Sequence, residues 1–247
     1  MFLRSADTDD ARWLMLLSRL ALLSGVFSIV VFALFGFGVM PAGLDATLGE
    51  DYTMLVAAMH APAIFHLTHL FDALSWLISI GFWLTFALLA ARRAPARGML
   101  LVAIGCGMAF GLAGTLIRGM GTSAIAEHYP TATATDQAAA RFMFLGLQLT
   151  AIGLMNAGSL LAGIGYAVAA SAARSMAQFP RWLVVLIALP AVLELSKQLF
   201  QLVTGMDIGE VLLLQLPFEL VLYFALAWRF WRPTAAPATE LQGIPAN

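Results

Sequence analysis

Charge is scarce in this chain: 13 Lys and Arg and 14 Asp and Glu among 247 residues, or 11%, where an average soluble domain carries about 25%. With a formal net charge of -1 and no basic run, a nucleic-acid footprint is excluded. Cysteine is almost absent too. Cys106 stands alone in an apolar stretch, which excludes a disulfide framework and a thiolate metal site and leaves the redox compartment unread. A cleavable leader is not expected at the N-terminus either. The opening "MFLRSADTDDARWLMLLSRL" is charged on both sides of Trp13 and lacks the order of basic, apolar and small-residue regions a leader needs. The first hydrophobic segment is therefore expected to stay in the membrane. There is no GxSxG turn, no HExxH, no phosphate-binding glycine loop and no recognisable intramembrane-protease acid pair, so catalysis has no motif behind it. Lysine occurs once, as Lys197.

Apolar residues fill the space these absences leave. They make up 61% of the chain, and the mean hydropathy of +0.88 points to the bilayer as solvent. A transmembrane helix needs about 20 mostly apolar residues. Six segments qualify: 13 to 37, 64 to 91, 98 to 118, 141 to 170, 181 to 204 and 209 to 231. "GVMPAGLDATLGEDYT", "ARRAPARG" and "HYPTATATDQ" separate them with turn-forming residues. The expected architecture is all-α and polytopic: a cytoplasmic segment 1–12, a six-helix transmembrane domain 13–231 and a disordered cytoplasmic tail 232–247.

The arginines set the orientation. Arg4, Arg12 and Arg19 open the first span, Arg92, Arg93 and Arg97 follow the second, Arg174 and Arg181 follow the fourth, and Arg229 and Arg232 close the sixth. Acids dominate the opposite loops: Asp45, Glu50, Asp51, Glu127, Asp136, Asp207 and Glu210. The positive-inside rule then places both termini in the cytoplasm. Small residues at Ala103, Gly107 and Gly111, and at Ser159 and Gly163, read as close-packing positions between helices.

Against this background, "VLELSKQLFQLVTG" (192–205) raises a question of cost. A charged residue at the centre of a membrane helix costs ~2.5–3.5 kcal/mol on insertion scales, so such residues face each other, water or a ligand. At ~100° per residue, Glu194, Lys197, Gln198 and Gln201 share one arc of about 100°. Other spans carry polar groups at matching depth: His66, His69 and Asp72 in the second, Arg118 ending the third, Arg141 and Gln148 in the fourth, and Glu210, Gln215 and Glu219 in the sixth. An outward-facing polar vestibule accommodates them all. His66, His69, Asp72, Arg118 and Arg141 would lie near its mouth, and Glu194, Lys197, Gln198, Gln215 and Glu219 at its floor. Lys197 would then anchor an anionic group while the glutamines orient the ligand. A structural ion-pair network is the competing reading, since Glu194 and Lys197 at i and i+3 can pair on their own helix.

His66 and His69 in "HLTH" could also share a metal with Asp72. The plainer alternative is a pair of interfacial histidines hydrogen-bonding to headgroups or water. Bis-histidine haem ligation is disfavoured, because no other span holds a buried histidine.

"RLALLSGVFSIVVFAL", "AARRAPARGML", the glycine-rich third span and especially "QFPRWLVVLIALPAVLEL", with Phe179, Pro180, Arg181 and Trp182 before the fifth span, resemble an uncharacterised bacterial six-helix inner-membrane family, a domain of unknown function of the 4386 type. The resemblance implies a fold and a multi-pass location in the bacterial cytoplasmic membrane, and it brings no activity or cofactor. Function is left among three classes. One is a binding or transport protein for a small polar or amphiphilic ligand, ion or proton; another is a non-catalytic subunit or sensor; the third is a membrane enzyme or metal-binding protein using His66, His69 and Asp72. Partners are the lipid bilayer and a small-molecule or ion ligand, with a homo-oligomer or membrane complex open and nucleic acid excluded.

Overall fold

A computed structural model describes the backbone of residues 3–44, 48–204 and 211–231, with side chains except at 3–9, 50 and 211–216. Asp45, Asp207, Glu210, the 232–247 tail with Arg232, and the side chains of Arg4, Glu50 and Gln215 lie outside the described part. The fold is all-helical, 91% helix, with no strand among the described residues. Five helical stretches are long and apolar enough to cross a bilayer: Asp10–Gly43, Pro62–Ala91, Pro95–Thr131, Ala134–Ala173 and Arg181–Thr204.

The first of these is α1, Leu3–Leu34, extended by a π-turn Phe35–Val39 into Met40–Gly43. A short α2, Thr53–His60, precedes α3, Pro62–Ala91. The break between them lies at Ala61, with φ -135 and ψ 58, because a following proline pushes its neighbour out of the α region. Pro95 acts in the same way on Ala94, with φ -143 and ψ 76, where α4, Pro95–Thr131, begins. α5 is Ala134–Ala173, α6 is Arg181–Thr204 and α7 is Val211–Phe230. α7 has 20 residues, about 30 Å of helix, close to the thickness of a hydrocarbon core.

Besides Met40–Gly43, two further segments expected as loops are helical. α4 runs past residue 118 through a π-turn, Ile117–Gly121, into Thr122–His128, since "TSAIAEH" holds no helix breaker, and Pro130 marks its end. The 40-residue α5 starts at 134, with Thr133 accepting from the Asp136 amide as its N-cap. At about 60 Å it is twice the hydrocarbon thickness, longer than one crossing needs.

Consecutive long helices pack in order, α1 on α3, α3 on α4, α4 on α5, α5 on α6 and α6 on α7, and α7 returns to α1. The six form a closed ring. Ser18 Oγ donates to the Ala227 carbonyl at 2.9 Å, tying α1 to α7. At the end bearing the basic turns, Arg92 meets Asp10 at 2.6 Å and Arg97 donates to the Ser171 carbonyl. The core nearer that end holds Leu17, Phe82, Trp83, Phe86, Tyr166, Phe179 and Leu226. A second core at the other end holds Val39, Leu55, Phe65, Tyr129 and Phe144, with α2 buried in it by Leu55 and Ala57.

Between lipid-like surfaces, packing rather than water release holds helices together, so small residues govern how closely they approach. Trp76 of α3 lies against Gly111 of α4 and Gly158 of α5. A Cβ on Gly158 would lie 2.8 Å from the Gly111 nitrogen and 2.9 Å from its Cα. Backbone cannot move aside cheaply, so Gly158→Ala is expected to destabilise the protein by about 1–3 kcal/mol. Unfolding in mixed detergent, followed by loss of helical circular dichroism, measures this.

Candidate functional site

The α3 face reads His69, Asp72, Trp76 and Ser79, steps of three and four that keep one side of a helix. The His69 ring lies on Phe65, centroids 4.3 Å apart, and its Nδ1 is 2.9 Å from the Phe65 carbonyl. A carbonyl only accepts, so Nδ1 carries the proton and a neutral ring keeps its lone pair on Nε2. Gly119 of α4 lets the two helices meet at this level, since a Cβ there would lie 2.8 Å from His69 Cβ. One turn along, Thr115 donates to Asp72 Oδ2 at 2.9 Å. Thr115 is thus a hydrogen-bond partner of Asp72 across the α3–α4 contact.

Arg118 sits in the π-turn of α4, and π-turns recur at functional sites. Asp72 and His69 are within electrostatic reach of its guanidinium, yet Nε is buried without a hydrogen-bond partner among the described residues. A guanidinium offers five donors in a planar fork. An unused one inside a bundle is the least compensated group at this level.

Lys197 is not in the same position. It is 6% exposed, Glu194 is 1% exposed, and Lys197 Nζ lies 3.3 Å from Glu194 Oε1. Gln198 Nε2 donates to the same oxygen at 2.8 Å. The stripe read from the sequence is real, and the structure closes it on itself: the lysine expected to anchor a ligand holds a carboxylate. Gln201 lies one turn on, half-buried, with an interaction of its own. Gly163 of α5 admits this group, as a Cβ there would come within 3.0 Å of Glu194 Cγ. Glu194 Oε2 has no hydrogen-bond partner among the described residues.

Beside Glu194 lies a pair the sequence reading passed over. The Tyr166 and Tyr223 hydroxyls are 2.9 Å apart and buried, Ser79 bonds to Tyr223, and Glu219 acts on both rings. One signal was available. Membrane tyrosines concentrate at the interfaces, whereas these two stand inside apolar runs, where each hydroxyl needs a partner.

Other expected members belong elsewhere. Gln148 donates to Thr122 at 3.1 Å, a buried link between α5 and α4. Arg141 donates to the Tyr129 hydroxyl and lies 5.8 Å from the Tyr52 and Tyr129 ring centres. It lines a cleft of about 430 Å³ with Gln137, Phe142 and Leu145. Of the residues expected around one vestibule, those of the mouth separate into an Arg141 group and a His69–Asp72–Arg118 group, and Glu194 and Lys197 of the floor pair with each other. His66 is exposed and is not drawn into a metal-holding set with His69 and Asp72; among the described residues no three His, Cys, Asp or Glu side chains form one.

No family model matches the chain, and no curated protein or solved structure proves similar to it.

Proposed function

We propose that the chain is a multi-pass protein of the bacterial cytoplasmic membrane, of the six-helix family its fifth-span motif resembles, with six spans and both termini in the cytoplasm. Its function on this reading is to bind a small anionic or zwitterionic molecule in the outer half of the bundle, with Arg118 as the anchor and transport as the use. One observation carries the reading: the buried Arg118 Nε that no group among the described residues satisfies. A charge held inside a membrane bundle is costly without a partner, and the guanidinium fork matches a carboxylate or phosphate with two parallel hydrogen bonds. Asp72 and the His69 Nε2 would accept from a hydroxyl or amine on the same ligand. Pro190 and Pro217 interrupt α6 and α7, removing backbone hydrogen bonds where a transport motion would bend the ring.

The test is thermal unfolding of the solubilised protein with a panel of small carboxylates, amino acids and phosphate esters. A true ligand at about 100 times its Kd stabilises by about 2.7 kcal/mol. Arg118→Met should abolish that stabilisation, and the ligand-free melting temperature reports separately what Asp72 loses when the nearby cation is removed. Arg118→Lys should weaken that stabilisation, having charge but no fork. Stabilisation that persists in Arg118→Met, or an unresponsive native protein, overturns the anchor and leaves the polar groups with a structural role.

A further inference from the structure

We propose that the cleft beside Arg141 holds the phosphate of an anionic phospholipid, with the guanidinium as its anchor and one face of α5 as the bed of an acyl chain. The anchor is held in place by its neighbours. Arg141 Nε donates to the Tyr129 hydroxyl, and the guanidinium carbon lies 5.8 Å from the Tyr52 and Tyr129 ring centres, within cation–π reach. Tyr129 is itself fixed, being 6% exposed in the second core, with Gln137 Nε2 donating to its carbonyl at 3.2 Å. Tyr52, just before α2, lies on Phe144 with centroids 5.9 Å apart. With Nε taken, the two terminal amino groups of the guanidinium keep their donors, and no hydrogen bond uses them among the described residues. That open end of the fork matches two oxygens of a phosphate.

The walls decide which anion fits. The cleft, of about 430 Å³, falls in the size range of small-molecule sites, and no acidic side chain lines it among the described residues. Nothing there balances the ammonium of a zwitterionic headgroup, so a net anionic one is favoured. Around Arg141 the lining turns apolar. Ala138, Phe142 and Leu145 are followed by Leu149 in steps of four, three and four, which keep one side of a helix. Phe142 is 81% exposed and Leu149 74%, and their strip runs from the cleft along a helix apolar enough to cross a bilayer. A soluble phosphate would use the fork and leave the strip bare, whereas a phospholipid uses both. The cleft shares no residue with the Arg118 site, so the two stand or fall separately.

Native mass spectrometry of the full chain released from detergent micelles tests this, with dioleoylphosphatidylglycerol, dioleoylphosphatidylcholine and inorganic phosphate as probes. The native chain should bind phosphatidylglycerol at least about fivefold more tightly than phosphatidylcholine, the effect of one arginine on an anionic lipid, and inorganic phosphate should not displace it. Arg141→Met should weaken phosphatidylglycerol binding about ten- to a hundredfold, the loss expected of charge-assisted hydrogen bonds. Because Arg141 also holds Tyr129, Ala138→Glu serves as a second variant. Ala138 is exposed, so the fold tolerates the change, and a carboxylate three residues before Arg141 on the same helix occupies the fork and should weaken the lipid to a similar extent. Equal binding of the two lipids overturns the proposal, and so does unchanged phosphatidylglycerol binding in either folded variant. Displacement of the lipid by inorganic phosphate overturns it as well, assigning the cleft to a soluble anion.

Discussion

Lys197→Met is expected to destabilise the protein by about 3–5 kcal/mol, and the double variant Glu194→Leu/Lys197→Met to recover most of that loss. The reasoning turns on what each change leaves behind. In the native protein the ammonium, 6% exposed, faces a carboxylate that is 1% exposed, so both have left water and each compensates the other. Removing the lysine leaves Glu194 Oε1 with Gln198 alone and a buried anion beside Gly163, whose missing Cβ keeps the walls tight. Replacing both with apolar side chains removes the desolvation cost along with the attraction, and such replacements are often neutral or stabilising. A double-mutant cycle by unfolding in mixed detergent should therefore give a large coupling energy while the double variant stays close to the native protein. Additive effects would show that the pair contributes nothing jointly and that its 3.3 Å contact is incidental. The same cycle distinguishes a lysine held for structure from one held for a ligand, because a ligand anchor would lose binding without this pattern of recovery.

What could be read from the sequence follows a physical division. The long helices were legible because an apolar run of bilayer length is a signal contained in the run itself, and the starts of α3 and α4 follow from Pro62 and Pro95. The π-turns at Phe35–Val39 and Ile117–Gly121 were not, since one extra residue in a turn leaves the hydropathy unchanged. α2 was missed for a related reason: eight residues are too few to span, and its burial depends on the helices that cover it. The site divides in the same way. Glu194, Lys197 and Gln198 were placed together correctly because their partners lie on one helix, where spacing dictates direction. Thr115 with Asp72, Thr122 with Gln148, Tyr129 with Arg141, and Tyr166 with Tyr223 each join polar groups on two different helices or helical turns. Those pairs depend on helix order and rotation about the axis, on which periodicity within one helix is silent. Gathering every polar residue at similar depth into one vestibule was the consequence.

Trp83→Ala is the second large effect, expected at about 3 kcal/mol, the lower end of the range for truncating a buried aromatic. The lower end applies because the surrounding lipid is as apolar as the interior, which leaves lost packing as the main term. Trp83 is 1% exposed and meets Tyr166 edge to face at 4.8 Å and Phe82 at 5.4 Å. It stands where α3, α4 and α5 come together, since a Cβ on Gly165 would lie 3.2 Å from its Cη2 and one on Gly105 3.3 Å from its Cβ. This geometry gives a sharper test than the single change. In the native protein Gly165→Ala crowds both Trp83 and Ile104, the latter at 3.0 Å, and should destabilise by about 1 kcal/mol. In the Trp83→Ala background the same methyl enters the space the indole has vacated and should stabilise. A change of sign between backgrounds, read from detergent unfolding, follows only if the two residues share one packed volume. Equal effects in both backgrounds would place the indole away from α5 and remove the support it gives the Tyr166–Tyr223 pair.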